Sequence, residues 1–140
     1  MSRLLELVEI LPARRRSDDR GWLQVALTSS QLPPDQRFGE LYAVHSNQAE
    51  VRRGDHFHRK ADEWFCVVAG SARLELKDPT TGDNRSILLS EVEPCTVRVP
   101  AGLAHCLVST SGNGMTALAW STAEHDEQDV IQCPTSGPQD

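Results

Sequence analysis

Short apolar stretches recur along most of the chain, each bounded by turn-forming residues. Segments 22–29, 38–46, 51–58, 63–76, 86–89, 95–99, 104–109 and 115–121 carry the two-residue alternation or the brief continuous apolar run of a β-strand. The breaks between them hold turn chemistry: Ser17-Asp18-Asp19-Arg20-Gly21, Pro33-Pro34-Asp35, Ala69-Gly70, the run from Asp78 to Asn84, and Ser111-Gly112-Asn113-Gly114. Helical periodicity is hard to find. Many short strands with regular turns predict an all-β sandwich or barrel. After Thr122 the chain loses apolar residues and gains Glu, Asp, Gln and Pro. This predicts a barrel domain over 1–132 and a mobile tail over 133–140. Gly54, Gly70 and Gly102 are expected in tight turns.

The 140 residues, 39% of them hydrophobic, suffice for one domain with its own core. No apolar run approaches the length that spans a bilayer. Glu6 and Glu9 interrupt the apolar positions near the N-terminus, so no secretion signal is read there and a cytoplasmic location is expected. A net charge of −6 argues against a nucleic-acid partner. A small phosphorylated ligand needs only a local cationic patch, and Arg52, Arg53, Arg59 and Lys60 could form one. The four cysteines show no CxxC pair and read as free thiols. Trp22, Trp64 and Trp120 are expected in the core or an interface, with a stacking role on a base or sugar open to one of them.

Chemistry concentrates in two segments. Arg53-Gly54-Asp55-His56-Phe57-His58 leads into Glu63, and Val99-Pro100-Ala101-Gly102-Leu103-Ala104-His105 follows downstream. Alternation along a strand puts His56 and His58 on one face, with Phe57 on the other. By the same alternation Cys106, next to His105, points away from the site. Two readings follow. His56, His58, Glu63 and His105 form a ligand set for a divalent metal such as zinc, iron, manganese or nickel, leaving positions open for substrate. Without a metal, His56 or His58 is a general base oriented by Glu63 or Asp62. Tyr42, the single tyrosine, is expected in the same cavity as an acid or hydrogen-bond donor.

The spacing G-D-H-F-H-x4-E-x6-G followed by P-x-G-x2-H resembles the two motifs of the cupin superfamily, small jelly-roll barrels. A narrower resemblance covers most of the chain. Asp19-Arg20-Gly21-Trp22-Leu23, Gly39-Glu40-Leu41-Tyr42, the His56 segment and the His105 segment follow in the order of the nucleotide-sugar cupins. These are the dTDP-4-dehydrorhamnose 3,5-epimerases, the 3,4-ketoisomerases and the cupin domains of capsular polysaccharide enzymes, whose members can hold zinc, and the resemblance to the last group puts zinc first among the candidate ions. The resemblance implies an isomerase or epimerase acting on a nucleotide-linked 4-keto-6-deoxy sugar, without an organic cofactor, in polysaccharide or deoxysugar biosynthesis. It implies His56 as the proton-abstracting base, Arg53 on the diphosphate with Arg59 and Lys60 beside it, His58, Glu63 and His105 as metal ligands, and Tyr42 lining the pocket. A homodimer is implied too. One departure stands out: the late tyrosine of the dehydrorhamnose epimerases has no counterpart in Leu118-Ala119-Trp120-Ser121. A different metal-dependent cupin, of dioxygenase or lyase type, and a non-catalytic sugar-binding cupin are the competing readings.

Overall fold

The computed structural model describes residues 3–136. After a short helix α1 (Leu4–Leu7) come strands β1 (Glu9–Pro12), β2 (Arg14–Asp18), β3 (Gly21–Val25), β4 (Glu40–Ser46), β5 (Arg52–His58) and β6 (Glu63–Ala69). They continue with β7 (Ser71–Lys77), β8 (Asn84–Ser90), β9 (Cys95–Val99), β10 (Ala104–Ser109), β11 (Met115–Ser121) and β12 (Val130–Gln132). Two five-stranded antiparallel sheets form, in the orders β1-β9-β6-β11-β4 and β12-β5-β10-β7-β8, and β2 and β3 pair as a separate hairpin. This is the all-β, single-domain architecture expected from the alternation, arranged as the jelly roll that the resemblance implies.

The pattern sets which side chains enter the barrel. On β7, Ala72, Leu74 and Leu76 are buried while Ser71, Arg73 and Glu75 are partly exposed. On β6 the inward residues are Glu63, Phe65 and Val67, and on β10 they include His105 and Leu107. Phe65, Val67, Leu74, Leu76, Val97, Val99 and Leu107 close the middle of the barrel as one apolar cluster. Glu63 and His105 therefore occupy positions that continue this core toward one end. Trp64 lies on the opposite face of β6, buried edge-on against Trp120 at 4.5 Å.

Three strands lie outside the alternating segments. β1 is an edge strand on β9, and β12 an edge strand on β5. β2, the polar run Arg14-Arg15-Arg16-Ser17-Asp18, is held by β3 and by the Arg15 guanidinium 3.7 Å over the Trp22 ring. The segment 63–76 is two strands divided at Gly70, whose φ of +76° makes the turn.

Gly54 does not serve a turn. It sits within β5 at a bulge, where His105 pairs with His56 and Cys106 with Gly54, leaving Asp55 unpaired at φ +60°. A Cβ on Gly54 would meet the His105 carbonyl oxygen at 2.6 Å. The tail expectation also needs correction. Cys133 N–H donates to the Asp55 carbonyl at 2.8 Å, and buried Thr135 donates through its N–H to Asp55 Oδ1 at 3.0 Å. Residues 133–136 thus dock on the barrel, because the bulge turns the Asp55 carboxylate toward them; residues 137–140 lie outside the described residues.

The same carboxylate accepts two bonds from Arg52, at 3.1 and 2.9 Å, and Arg52 also reaches Glu75 at 2.7 Å. Burial alone would favour the neutral acid, but the Arg52 bonds dominate and hold Asp55 well below the usual carboxylate range. Asp55→Asn keeps a side chain that tolerates the left-handed backbone and removes the charge. It is expected to cost about 1.5–3 kcal/mol in urea unfolding; an unchanged midpoint would show that the network adds no stability.

Candidate active site

Tyr42, His56, His58 and Glu63 line one cavity of about 390 Å³ at the end of the barrel. Tyr42 comes from β4, the two histidines from β5 and Glu63 from β6. His105, only 4% exposed, stands behind them on β10 and packs against Phe65 at 5.3 Å between ring centres. One ligand atom each from His56, His58, Glu63 and His105 falls within 4.8 Å of the others.

Glu63 is the hub. Its Oε1 lies 2.8 Å from His58 Nε2 and 3.3 Å from His105 Nε2, and its Oε2 accepts the Tyr42 hydroxyl at 2.6 Å. Burial favours its neutral form, but the bonds from His105, His58 and Tyr42 outweigh that and keep the carboxyl ionised, well below its ordinary range. Tyr42 is pushed far above the ordinary phenol value, first by burial and then by the Glu63 charge it faces. Its proton is committed to Glu63.

The far nitrogens of the two ligand-type histidines are also fixed. His58 Nδ1 is 3.2 Å from Asp129 Oδ2, and His105 Nδ1 is 3.2 Å from the Leu103 carbonyl. With Nδ1–H donating in both rings, loss of the Nε2 protons that bond Glu63 in the metal-free site would leave each neutral imidazole with an Nε2 lone pair on the Glu63 Oε1 side. Two lone pairs and a carboxylate oxygen then converge, which is the donor set of a divalent cation with its outer partners in place. These residues fit a metal. Without one, the carboxylates on both sides of His58 favour its charged form. Burial opposes this, but the bonds and charges of Glu63 and Asp129 prevail, and His58 is held above its ordinary value.

His56 differs. It touches His58 and His105 edge-on at 5.1 Å between ring centres, and among the described residues its imidazole has no hydrogen-bond partner. Burial, then the neighbouring His105 and His58, lower it to about 4. It faces the cavity as a neutral ring.

Several expectations change. Asp62 does not orient a histidine: its carboxylate takes Arg98 at 2.6 Å and the Ala101 N–H at 2.9 Å. Asp129 holds that role, fixed by the N–H groups of Lys60 at 2.8 Å and Ala61 at 3.4 Å. In sequence it is one acid among Glu124, Asp126 and Glu127, with nothing to mark it until β12 pairs with β5. Arg53, Arg59 and Lys60 are not brought into the cavity. Arg53 lies three residues before His56, roughly 10 Å along a strand, and its guanidinium donates to the His45 carbonyl at 2.9 Å and to Ser46 Oγ at 3.2 Å. Arg59 and Lys60 are exposed on the turn after His58. Among the described residues the cavity wall carries no arginine or lysine and is rich in acids, including Glu40, Glu124 and Asp126. Cys106 faces the outer surface of its sheet, as expected, opposite Glu75.

Residues 16–131 match the family described as the polysaccharide biosynthesis C-terminal domain. The chain belongs to this family. A UDP-2-acetamido-2,6-beta-L-arabino-hexul-4-ose reductase of Pseudomonas aeruginosa is 26% identical over 85 residues, which is 59% of this chain and 23% of that protein. The match therefore spans about a quarter of the curated relative's length. Among solved structures, a sugar 3,4-ketoisomerase from Thermoanaerobacterium thermosaccharolyticum in complex with TDP superposes with a TM-score of 0.75 at 20% identity, covering 92% of this chain and 90% of that one. An epimerase of Mycobacterium tuberculosis gives a TM-score of 0.75 at 25% identity, covering 90% and 68%. This polysaccharide biosynthesis domain thus shares the fold of these two solved enzymes.

Proposed function

We propose that this chain is an isomerase or epimerase acting on a nucleotide-linked 4-keto-6-deoxy sugar by proton abstraction beside the ketone. The observation that carries the reading is His56: a neutral, uncommitted imidazole facing a cavity whose other histidines are tied to carboxylates. The similarity to the ketoisomerase, solved with TDP and as a variant with TDP-4-keto-6-deoxyglucose, supports the substrate class.

The division of labour follows from the bonds. His58, Glu63 and His105 would hold a divalent ion, zinc first, with Asp129 and the Leu103 carbonyl fixing the ring tautomers. Such an ion would supply positive charge to stabilise the negative charge that develops on the ketone oxygen. His56 takes the proton from the adjacent carbon, and the C–H electron pair moves into the enolate. Tyr42 keeps Glu63 oriented rather than serving as the acid. With Arg53 occupied at His45 and Ser46, the exposed Arg59 and Lys60 are the nearest cations in sequence for the diphosphate. A homodimer belongs to the same reading. Leu23, Phe38 and Leu41, which are 63, 68 and 61% exposed, form apolar surface that pairing would cover.

The test is solvent exchange. In D2O with a dTDP-4-keto-6-deoxyglucose-type substrate, deuterium followed by NMR is expected at C3 or C5 of a 4-keto product for an epimerase and at C4 of a 3-keto product for a ketoisomerase, which separates the two. No exchange by folded, zinc-loaded protein would move the assignment to another metal-dependent cupin or to a sugar-binding module.

A further inference from the structure

Inverting a carbon or moving a ketone needs a proton donor as well as a base, and most donors in this cavity are already committed. The Tyr42 hydroxyl donates its hydrogen bond to Glu63 at 2.6 Å. Both ring nitrogens of His58 face carboxylates, and both of His105 face acceptors. The acids on the wall are acceptors when ionised, and the Ser121 hydroxyl is too weak an acid for the task. One further imidazole remains.

His125 lines the same cavity from the segment that follows β11. Its backbone N–H donates to Glu40 Oε1 at 3.1 Å, which ties it to the start of β4. The seating depends on Gly39, whose N–H donates to the Ser121 carbonyl at 2.9 Å and whose missing Cβ leaves room for the Ala123 backbone. His125 thus enters from the β11–β4 side, whereas His56 stands on β5 in the facing sheet. The His125 side chain is exposed and has no hydrogen-bond partner among the described residues, so it can exchange its proton with water.

We propose that His125 is the catalytic acid of this site, facing His56 across the cavity and delivering a proton to the enolate from the opposite side. The inference rests on the proton-abstraction reading above. His56 takes H⁺ from the carbon beside the ketone, and the bonding pair becomes the enolate. His125 then gives its ring proton to the enolate carbon, whose π pair forms the new C–H bond as the C=O is restored. His56 releases its proton to water and His125 recovers one, so the cycle closes without an oxidant or reductant.

The experiment compares wild type, His125→Gln and His125→Ala in D2O with the keto-sugar nucleotide, following deuterium entry and product by NMR. In both variants product formation is expected to fall by about 10²-fold or more. Deuterium entry into unconverted substrate should persist, because His56 still abstracts the proton and exchanges it with solvent. Added imidazole should restore part of the His125→Ala turnover. Because the residue is exposed, urea midpoints should not move. Product formation within threefold of wild type, or exchange and conversion falling together, would overturn the assignment. If wild type itself neither exchanges nor converts, the proton-abstraction reading fails and takes this one with it.

Discussion

His56→Asn is expected to lower solvent exchange into the keto-sugar by about 10²–10⁴-fold, the range a positioned general base contributes. The side chain stays polar and close in size, and no hydrogen bond of the described structure is lost, so folding should be unaffected. The useful control is metal content. If His56 is the base and His58, Glu63 and His105 are the ligands, the variant keeps its zinc while losing exchange. Loss of both would place His56 in the coordination shell as a fourth ligand and remove it as the base. Exchange within threefold of wild type would end the base assignment altogether. His58→Asn should behave differently, losing the ion first and exchange as a consequence.

The contrast between these two neighbours shows where sequence reasoning works and where it stops. His56 and His58 share a face because β5 alternates, and that was legible from spacing alone. Glu63 and His105 were legible as partners because their segments read as strands and the motif order matches a known barrel. Which histidine is free and which is bound was not legible. That difference comes from Asp129, brought beside His58 by β12, a three-residue edge strand inside a polar stretch. The bulge at Asp55 was equally silent. A glycine and an aspartate before a histidine read as an ordinary turn until β10 pairs with β5 and leaves Asp55 over. The tail misreading has the same root: Thr135 is buried by a carboxylate that only the bulge presents to it. Polar segments whose order depends on one distant hydrogen-bond partner carry no periodicity to read. His125, in the same stretch, was invisible for that reason.

A second large effect is expected in the pH dependence of stability, because the two β5 histidines pull in opposite directions. His56 is lowered from 6.5 to about 4 on folding. Between those values the unfolded chain holds a proton that the folded chain lacks, so this residue makes stability rise with pH across that window. His58 is raised above 6.5. From 6.5 up to its folded value the folded chain holds the extra proton, so its contribution, full below 6.5, is lost as pH rises. These two residues therefore predict a stability maximum near pH 6.5 for the protein stripped of metal. Zinc reverses the alkaline limb, because ligand imidazoles bind in their neutral form and metal affinity grows with pH. Urea midpoints from pH 4 to 9, with chelator and with zinc, read this directly. Glu63→Gln supplies the decisive variant. Removing the charge from a buried hub that serves His58 and His105 is expected to cost about 3–5 kcal/mol. It should also flatten the alkaline limb of the chelated protein, since the main charge raising His58 is gone. A chelated wild type that keeps gaining stability above pH 7 would mean that His58 is neutral between its two carboxylates, which the 2.8 and 3.2 Å contacts argue against.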